Sequence, residues 1–365
     1  MSDNAREVIE VNDLDITFKM ATGNVHAIRG VDFRLKENEV LALVGESGCG
    51  KSITVKTIMG ILPENAVINS GEVIFHGKEE GTAAAGVDLL QKKASWRQKH
   101  INGSRISMVF QDPMTSLNPT MTIGAQMITT IRSHEEVSKK SAYARSVELL
   151  REVGITDPDR TMGQYPHQLS GGMRQRIVIA IALSCDPEVL ICDEPTTALD
   201  VTIQNRILDL IQRIQSSRGI SVIFITHNLG VVAKIADYVG VMYAGKIIEY
   251  GTVFDIFYDP RHPYTWGLLS AIPELSDEKG ELYSIPGTPP NLAREVAGDA
   301  FAPRNPYAMA IDFKAEPPLF RLSKTHYAAT WLADERAPKV EMPQELKDRI
   351  ERMKQEGEEY VGRKA

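Results

Sequence analysis

Cysteine is nearly missing from this sequence. Cys49, Cys185 and Cys192 are the only three in 365 residues, an odd and small number that cannot build a disulfide framework and suits a reducing compartment. Long apolar runs are missing too. The run Ile177–Leu183 stops at Ser184 and Asp186, far short of the roughly 18 residues that a membrane span needs. The N-terminus, MSDNAREVIE, lacks the basic-then-apolar run of a secretory leader. Nor is there an excess of positive charge: Lys plus Arg is 41, Asp plus Glu is 48, and the net charge is −7. A general nucleic-acid coat wants a basic footprint, so no nucleic-acid partner is expected. What is present, 43% hydrophobic and 24% charged residues, is ordinary for a globular chain. The length fits two modest domains or one domain with extensions. The expectation is a cytosolic globular protein.

Residues 7–19 and 25–44 alternate apolar and polar positions around Gly23-Asn24 and Glu37-Asn38, predicting antiparallel strands that lead into a buried strand, Val40–Val44. A glycine-rich turn follows, then a helix over 52–61 and strands at 72–75 and 106–110. The small-residue stretch 79–86 reads as a loop. From Pro113 to about Gln168 the pattern is helical. Val189–Cys192 and Ser221–Thr226 are apolar on both faces and alternate with helices, which indicates a largely parallel, buried sheet and an α/β fold. Prolines cluster beyond residue 255, so that part reads as loop-rich. Over 343–359, Leu346, Ile350 and Met353 share one helical face.

Three motifs carry chemistry. Gly45-Glu46-Ser47-Gly48-Cys49-Gly50-Lys51-Ser52, followed by Ile53, is a G-x-x-x-x-G-K-S loop between a strand and a helix. Its glycines let backbone N–H groups surround phosphate oxygens, Lys51 reaches the outer phosphates, and the Ser52 hydroxyl suits Mg²⁺. Val189–Glu194 is an apolar strand ending in two carboxylates: Asp193 suits the magnesium ion, and Glu194 stands where a base or water-positioning group is needed. Leu169-Ser170-Gly171-Gly172-Met173 opens a second helix whose N-terminus is also fit for phosphate. Standing alone it would read as an N-cap and turn. On a chain that already has one phosphate site it suggests two copies facing each other across the nucleotide. Dipoles around Cys49 and the neighbouring Lys51 predict a thiol of lowered pKa, although a small filler suffices at that position.

In this order along residues 7–255, the motifs resemble the ATP-binding-cassette family of ATPases. Gln111 in VFQDP resembles the Q-loop glutamine, Ala198-Leu199-Asp200 the D-loop, and His227 in ITHN the switch histidine. The resemblance implies a P-loop ATPase core with an antiparallel β subdomain and a helical subdomain (about 113–168). It implies that Glu194 is the catalytic carboxylate and His227 a contact to the γ-phosphate. Gln111 joins Ser52 and Asp193 around Mg²⁺. Ser170, Gly171, Gly172 and Asp200 belong to a site completed by a second subunit, so that two ATP molecules join a head-to-tail pair. Phe18 stands near the aromatic that stacks on adenine, with His26 as a rival.

The tail narrows the resemblance. Arg261-His262-Pro263-Tyr264-Thr265, Ile285-Pro286-Gly287-Thr288-Pro289-Pro290, Phe301-Ala302-Pro303-Arg304, Pro306-Tyr307-Ala308-Met309 and His326-Tyr327 are similar to the C-terminal extension of oligopeptide, dipeptide and nickel importer ATPases. That implies a cassette over 1–255, an importer-type extension over 256–333 and a charged helical tail over 334–365. The implied activity is ATP hydrolysis powering peptide uptake, from the cytoplasmic face of the membrane. Implied partners are a homologous second ATPase subunit, two transmembrane permeases and an extracytoplasmic peptide-binding protein. An importer for nickel or another solute is the alternative. A soluble cassette of repair or ribosomal type fits less well, because Lys51 and Ser170 are only about 120 residues apart with no heptads between them, and the chain holds one cassette. Such extensions often carry four cysteines resembling an iron–sulfur ligand set. Here Asp299, Asn305, Asp312 and Thr330 stand at those positions. Clusters are held by thiolates, so no iron–sulfur cluster is expected, and the two loop carboxylates are expected to be solvated.

Overall fold

The computed structural model describes residues 6–21, 23–78, 86–197, 199–272 and 285–362. The loop predicted at 79–86 lies almost wholly outside these residues, as does Ala198. The alternating N-terminal pattern forms two long antiparallel strands, β1 (Glu7–Met20) and β2 (Gly23–Lys36). β3 (Val40–Val44) is buried at every residue and leads into α1 (Lys51–Met59). β4 (Ala66–Phe75) pairs with β1, and β5 (Val87–Asp88) with β4, completing a four-stranded sheet in the order β2-β1-β4-β5.

The second sheet positions the chemistry. α2 (Ala94–His100) precedes β6 (Ile106–Val109). β7 (Val189–Asp193), β8 (Ser221–Thr226) and β9 (Tyr238–Tyr243) join β6 and β3 as parallel strands. Residues 238–252, for which the sequence pattern predicts no element, form β9 and β10 (Lys246–Thr252), a hairpin turning at Ala244-Gly245. Both turn residues have positive φ, which matches the twist of the strands they join. Two short strands of the tail, β11 (Phe320–Arg321) and β12 (Tyr327–Ala328), extend the edge beyond β10, giving the order β11-β12-β10-β9-β3-β8-β7-β6.

The parallel strands are buried and largely apolar because both faces are covered. Leu190 and Cys192 of β7 face a core shared with α7 (Gly171–Ala182) and α8 (Val201–Arg218). Val189 and Ile191 face the opposite core, shared with the antiparallel sheet and α1. Between β6 and α7 the chain forms α3 (Pro113–Ser116), α4 (Ile123–His134), α5 (Lys139–Glu152) and α6 (Pro158–Met162). Thr122, Ser138 and Asp157 accept N-cap hydrogen bonds at the last three helices.

α9 (Leu229–Ile235) follows β8, and α10 (Val253–Tyr258) and α11 (Pro263–Ser270) follow β10. A third core joins Val44 and Tyr243 at the ends of β3 and β9 to Tyr264 and Phe301 of the extension. Leu346 and Ile350 of α12 (Gln344–Gly362) complete it. Among the described residues no helix is long and apolar enough to cross a membrane.

Candidate active site

Four parallel strands end on one side of the sheet, and a motif follows each. The phosphate-type loop follows β3, the Asp193-Glu194 pair closes β7, His227 follows β8, and Gln111 follows β6. Open α/β sheets bind ligands at this edge.

The loop is shaped by close approach. Gly45 has φ of 150°, and a Cβ there would stand 2.1 Å from the carbonyl oxygen of Met242. Gly50, at φ 113°, would drive a Cβ into Ile28. Only glycine meets both demands. No side chain caps the N-terminus of α1, and its first turn holds no acidic residue, so the positive end of the helix faces the loop. Lys51 is buried inside it, with Nζ donating to the carbonyls of Gly45 (2.8 Å) and Glu46 (2.9 Å). Ser47 and Gly48 form the exposed rim, and Ile53 packs half-buried behind the loop. Cys49 departs from expectation. Its side chain is buried, and burial pushes the thiol pKa up more than Lys51 lowers it.

Ser52 Oγ donates to Asp193 Oδ1 at 2.8 Å. Asp193 is buried, and burial raises its pKa against the pull of that hydrogen bond. Glu194 takes a left-handed backbone, φ 46°. Three side chains meet it: Thr197 Oγ1 donates at 2.8 Å, Gln111 Nε2 donates at 3.3 Å, and His227 Nδ1 lies 3.3 Å away. Burial pulls its pKa upward, but the Thr197 and His227 contacts outweigh that and leave it below the ordinary value. A carboxylate kept ionised, half-buried and beside a histidine suits accepting a proton from water or orienting it. Thr197 is not among the residues expected from the sequence; its spacing of three from Glu194 across Pro195 is the signal that marks it.

The signature lies apart. Ser170 Oγ caps α7 through the Met173 N–H at 3.3 Å, and Asp200 caps α8 through Ile203. Gly171 and Gly172 face Leu199 and Ile203. Among the described residues no hydrogen bond links Ser170–Gly172 to Gly45–Ser52. Phe18 stands opposite Val25 and packs half-buried on the core that contains Ile16 and Ile28. A bulge between Ile16 and Thr17 puts His26 on the other face of the ribbon, where it meets Asp15 at 2.7 Å.

The two tail carboxylates are not solvated. Asp299, Asn305, Asp312 and Thr330 are all buried, at 7, 8, 2 and 3% exposure. Each accepts a nearby backbone N–H: from Phe301, Tyr307, Met309 and Leu332, respectively. They close turns, as Asx and Ser/Thr side chains do, and this local bonding is what makes their burial affordable. Among the described residues no three His, Cys, Asp or Glu side chains converge as a metal centre.

Fold and site together define an ATP-binding cassette. The chain belongs to the ABC transporter family, in the branch of oligopeptide and dipeptide transport ATP-binding proteins. The ABC transporter family matches residues 28–197, and the oligopeptide/dipeptide transporter C-terminal region matches residues 248–311. The oligopeptide transport ATP-binding protein AmiE of Streptococcus pneumoniae serotype 4 is 53% identical over 343 residues, 94% of each chain. The dipeptide transport ATP-binding protein DppD of Lactococcus lactis subsp. cremoris is 54% identical over 335 residues, 92% of this chain and 93% of its own. Among solved structures, CbiO1 of Clostridium perfringens, part of the ABC transporter complex CbiONQ, is 28% identical with a TM-score of 0.55. That match covers 69% of this chain and 91% of CbiO1. The cassette MJ0796 in its dimeric, ADP- and Pi-bound structure shares the fold at 23% identity and a TM-score of 0.58, over 67% of this chain and 98% of its own.

Proposed function

We infer that this chain is the ATP-hydrolysing subunit that powers import of oligopeptides or dipeptides across the cytoplasmic membrane. The observation that carries the reading is the convergence of Glu194, Gln111 and His227 beside the Ser52–Asp193 pair. On a chain more than half identical to peptide transport ATP-binding proteins, that convergence is a hydrolysis centre. ATP binds with its phosphates in the Gly45–Ser52 loop. Glu194 orients the attacking water and accepts its proton, and His227 holds the γ-phosphate side of the site. Phe18 stacks on adenine. It shares a face with Ile28, which touches the loop at Gly50, whereas His26 is turned away into its pair with Asp15.

Ser52 and Asp193 fit Mg²⁺: two adjacent oxygen donors, one a buried carboxylate, suit a hard cation that completes its shell with waters and phosphates. Gln111 stands at the edge of that pair. When bound, the ion neutralises charge on the phosphates.

Closure supplies the work: ATP favours the closed pair of ATPase subunits, and hydrolysis releases it. Ser170, Gly171, Gly172 and Asp200 then serve the site of the homologous partner subunit. An apolar groove of about 240 Å³ between Met108, Phe110, Leu117, Val178 and Ile181 suits a short helix from a membrane permease. Two permeases and an extracytoplasmic peptide-binding protein complete the assembly, and the chain sits peripherally on the cytoplasmic face.

A tag on this chain, purified from membranes, should bring the second ATPase subunit and the permeases with it. In that complex Glu194→Gln is expected to keep ATP, favour the closed state and lose hydrolysis at this site by a factor of roughly 10² or more. Separate measurements of bound ATP and of turnover check it. Wild-type turnover at this site, with the partner site disabled, would sink the assignment.

A further inference from the structure

A carboxylate is an unhelpful neighbour for phosphates, yet Glu46 is the second residue of the phosphate loop. The fold ties it down from outside the cassette core. Arg304, 258 residues away, grips both carboxylate oxygens, NH1 to Oε2 at 2.7 Å and NH2 to Oε1 at 2.9 Å. The Arg304 side chain is 5% exposed. Its Nε donates to the Pro286 carbonyl at 2.9 Å, and its guanidinium lies 5.7 Å from the centre of the Tyr243 ring. The backbone of Glu46 is held as well: its N–H donates to the Tyr264 hydroxyl at 2.9 Å, and its carbonyl accepts from Lys51. Tyr243, Tyr264 and Phe301 pack ring against ring at 4.7–5.4 Å, so the groups that hold Glu46 are themselves rigid. A bidentate, largely desolvated arginine–carboxylate pair fixes geometry as well as charge.

We propose that Arg304 and Tyr264 are positioning residues for ATP: the C-terminal extension clamps Glu46, shields the bound phosphates from its carboxylate and holds the phosphate loop in its receptive shape. The proposal rests on the reading of Gly45–Ser52 as the ATP site and extends it to a partner on the same chain. Coupling of this kind is reciprocal. The extension strengthens ATP binding, and ATP steadies the docking of the extension.

The test is equilibrium MgATP binding by the full chain, with KM and kcat measured in the assembled transporter. Arg304→Gln leaves a lone carboxylate beside the phosphates and should weaken ATP binding about tenfold, raising KM more than it lowers kcat. The double variant Glu46→Gln/Arg304→Gln removes the repulsion and should bind ATP more tightly than Arg304→Gln alone, a rescue that a merely structural role for Arg304 does not produce. Tyr264→Phe keeps the ring and loses the hydroxyl acceptor. It should weaken binding a few-fold, and it keeps the test decisive if Arg304→Gln unfolds. Lys51→Ala serves as the reference. If it weakens ATP binding while Arg304→Gln and Tyr264→Phe do not, or if the double variant shows no rescue, the clamp is wrong. If Lys51→Ala binds like wild type, the nucleotide site itself is misplaced, and the clamp falls with it.

Discussion

Glu194 and Asp299 are two carboxylates that the fold treats in opposite ways. Glu194 occupies a left-handed backbone, a conformation that costs an L-residue about 1–2 kcal/mol and persists where the surrounding structure over-determines it. Its hydrogen bonds keep it ionised. Asp299 is buried, and burial, helped by the nearby Asp312 and Glu316 charges, pushes its pKa up to about 6 against the Phe301 N–H bond and the Arg29 charge that lower it. Because the folded value lies above the ordinary 3.8, the native state binds more protons than the unfolded chain between about pH 4 and 6. Stability at this residue is therefore lost as pH rises through that window, and the penalty is complete above it. Asp299→Asn keeps an acceptor for the Phe301 N–H and removes the charge. It should raise stability at pH 7.5 by roughly 1–3 kcal/mol and flatten the pH dependence between 4 and 6. Urea unfolding at pH 4.5 and 7.5 measures both, and equal stability of the two proteins at pH 7.5 would contradict the burial argument.

Among the elements, α12 shows how a strongly charged segment earns its place. Leu346 and Ile350 are fully buried four residues apart and share a core with Tyr264 and Phe301. Arg349 donates to the Ser270 carbonyl at 3.0 Å, at the C-terminal and partially negative end of α11. Most of the helix is otherwise polar, so Leu346 and Ile350, with Met353 packed half-buried beside them, are its main apolar contacts. Leu346→Ala should cost about 2–4 kcal/mol, whereas Glu351→Ala, on the exposed face, should stay within about 0.5 kcal/mol. Thermal melts of the two variants decide the matter, and matching melts would mean that α12 does not dock.

For the molecule as a whole, the separation of Ser170 from Lys51 is the consequential feature. Ser170 is exposed at the N-terminus of α7, while Lys51 is buried in its own loop. On the proposed reading, one chain offers two half-sites. Lys51→Ala should weaken ATP binding by the isolated chain. Ser170→Arg should disturb that binding far less, yet block ATP-driven closure of the assembled pair. Titration of the isolated chain, set beside a closure assay on the complex, separates the two effects. Equal affinity losses in the isolated chain would rule out a composite site.

Much of what depends on neighbours in sequence was legible, though the β9–β10 hairpin and Thr197 were not. The glycine loop, the Asp193-Glu194 strand end, Gln111 and His227 stand out as motifs because a glycine turn and a strand terminus are local objects, fixed by a few consecutive φ, ψ and side-chain types. The parallel sheet was legible for the same reason, since strands apolar on both faces must be covered twice. What tertiary structure alone decided is non-local. The Arg304–Glu46 pair spans 258 residues, and no periodicity links its members. The face of His26 turns on a one-residue bulge that inverts alternation between it and Ile28. The burial of Asp299 and Asp312 follows from tail segments joining β10 and the third core. Cys49 misled for the same reason: dipoles and Lys51 are visible along the chain, but the packing that desolvates a thiol comes from elsewhere, and desolvation outweighs them.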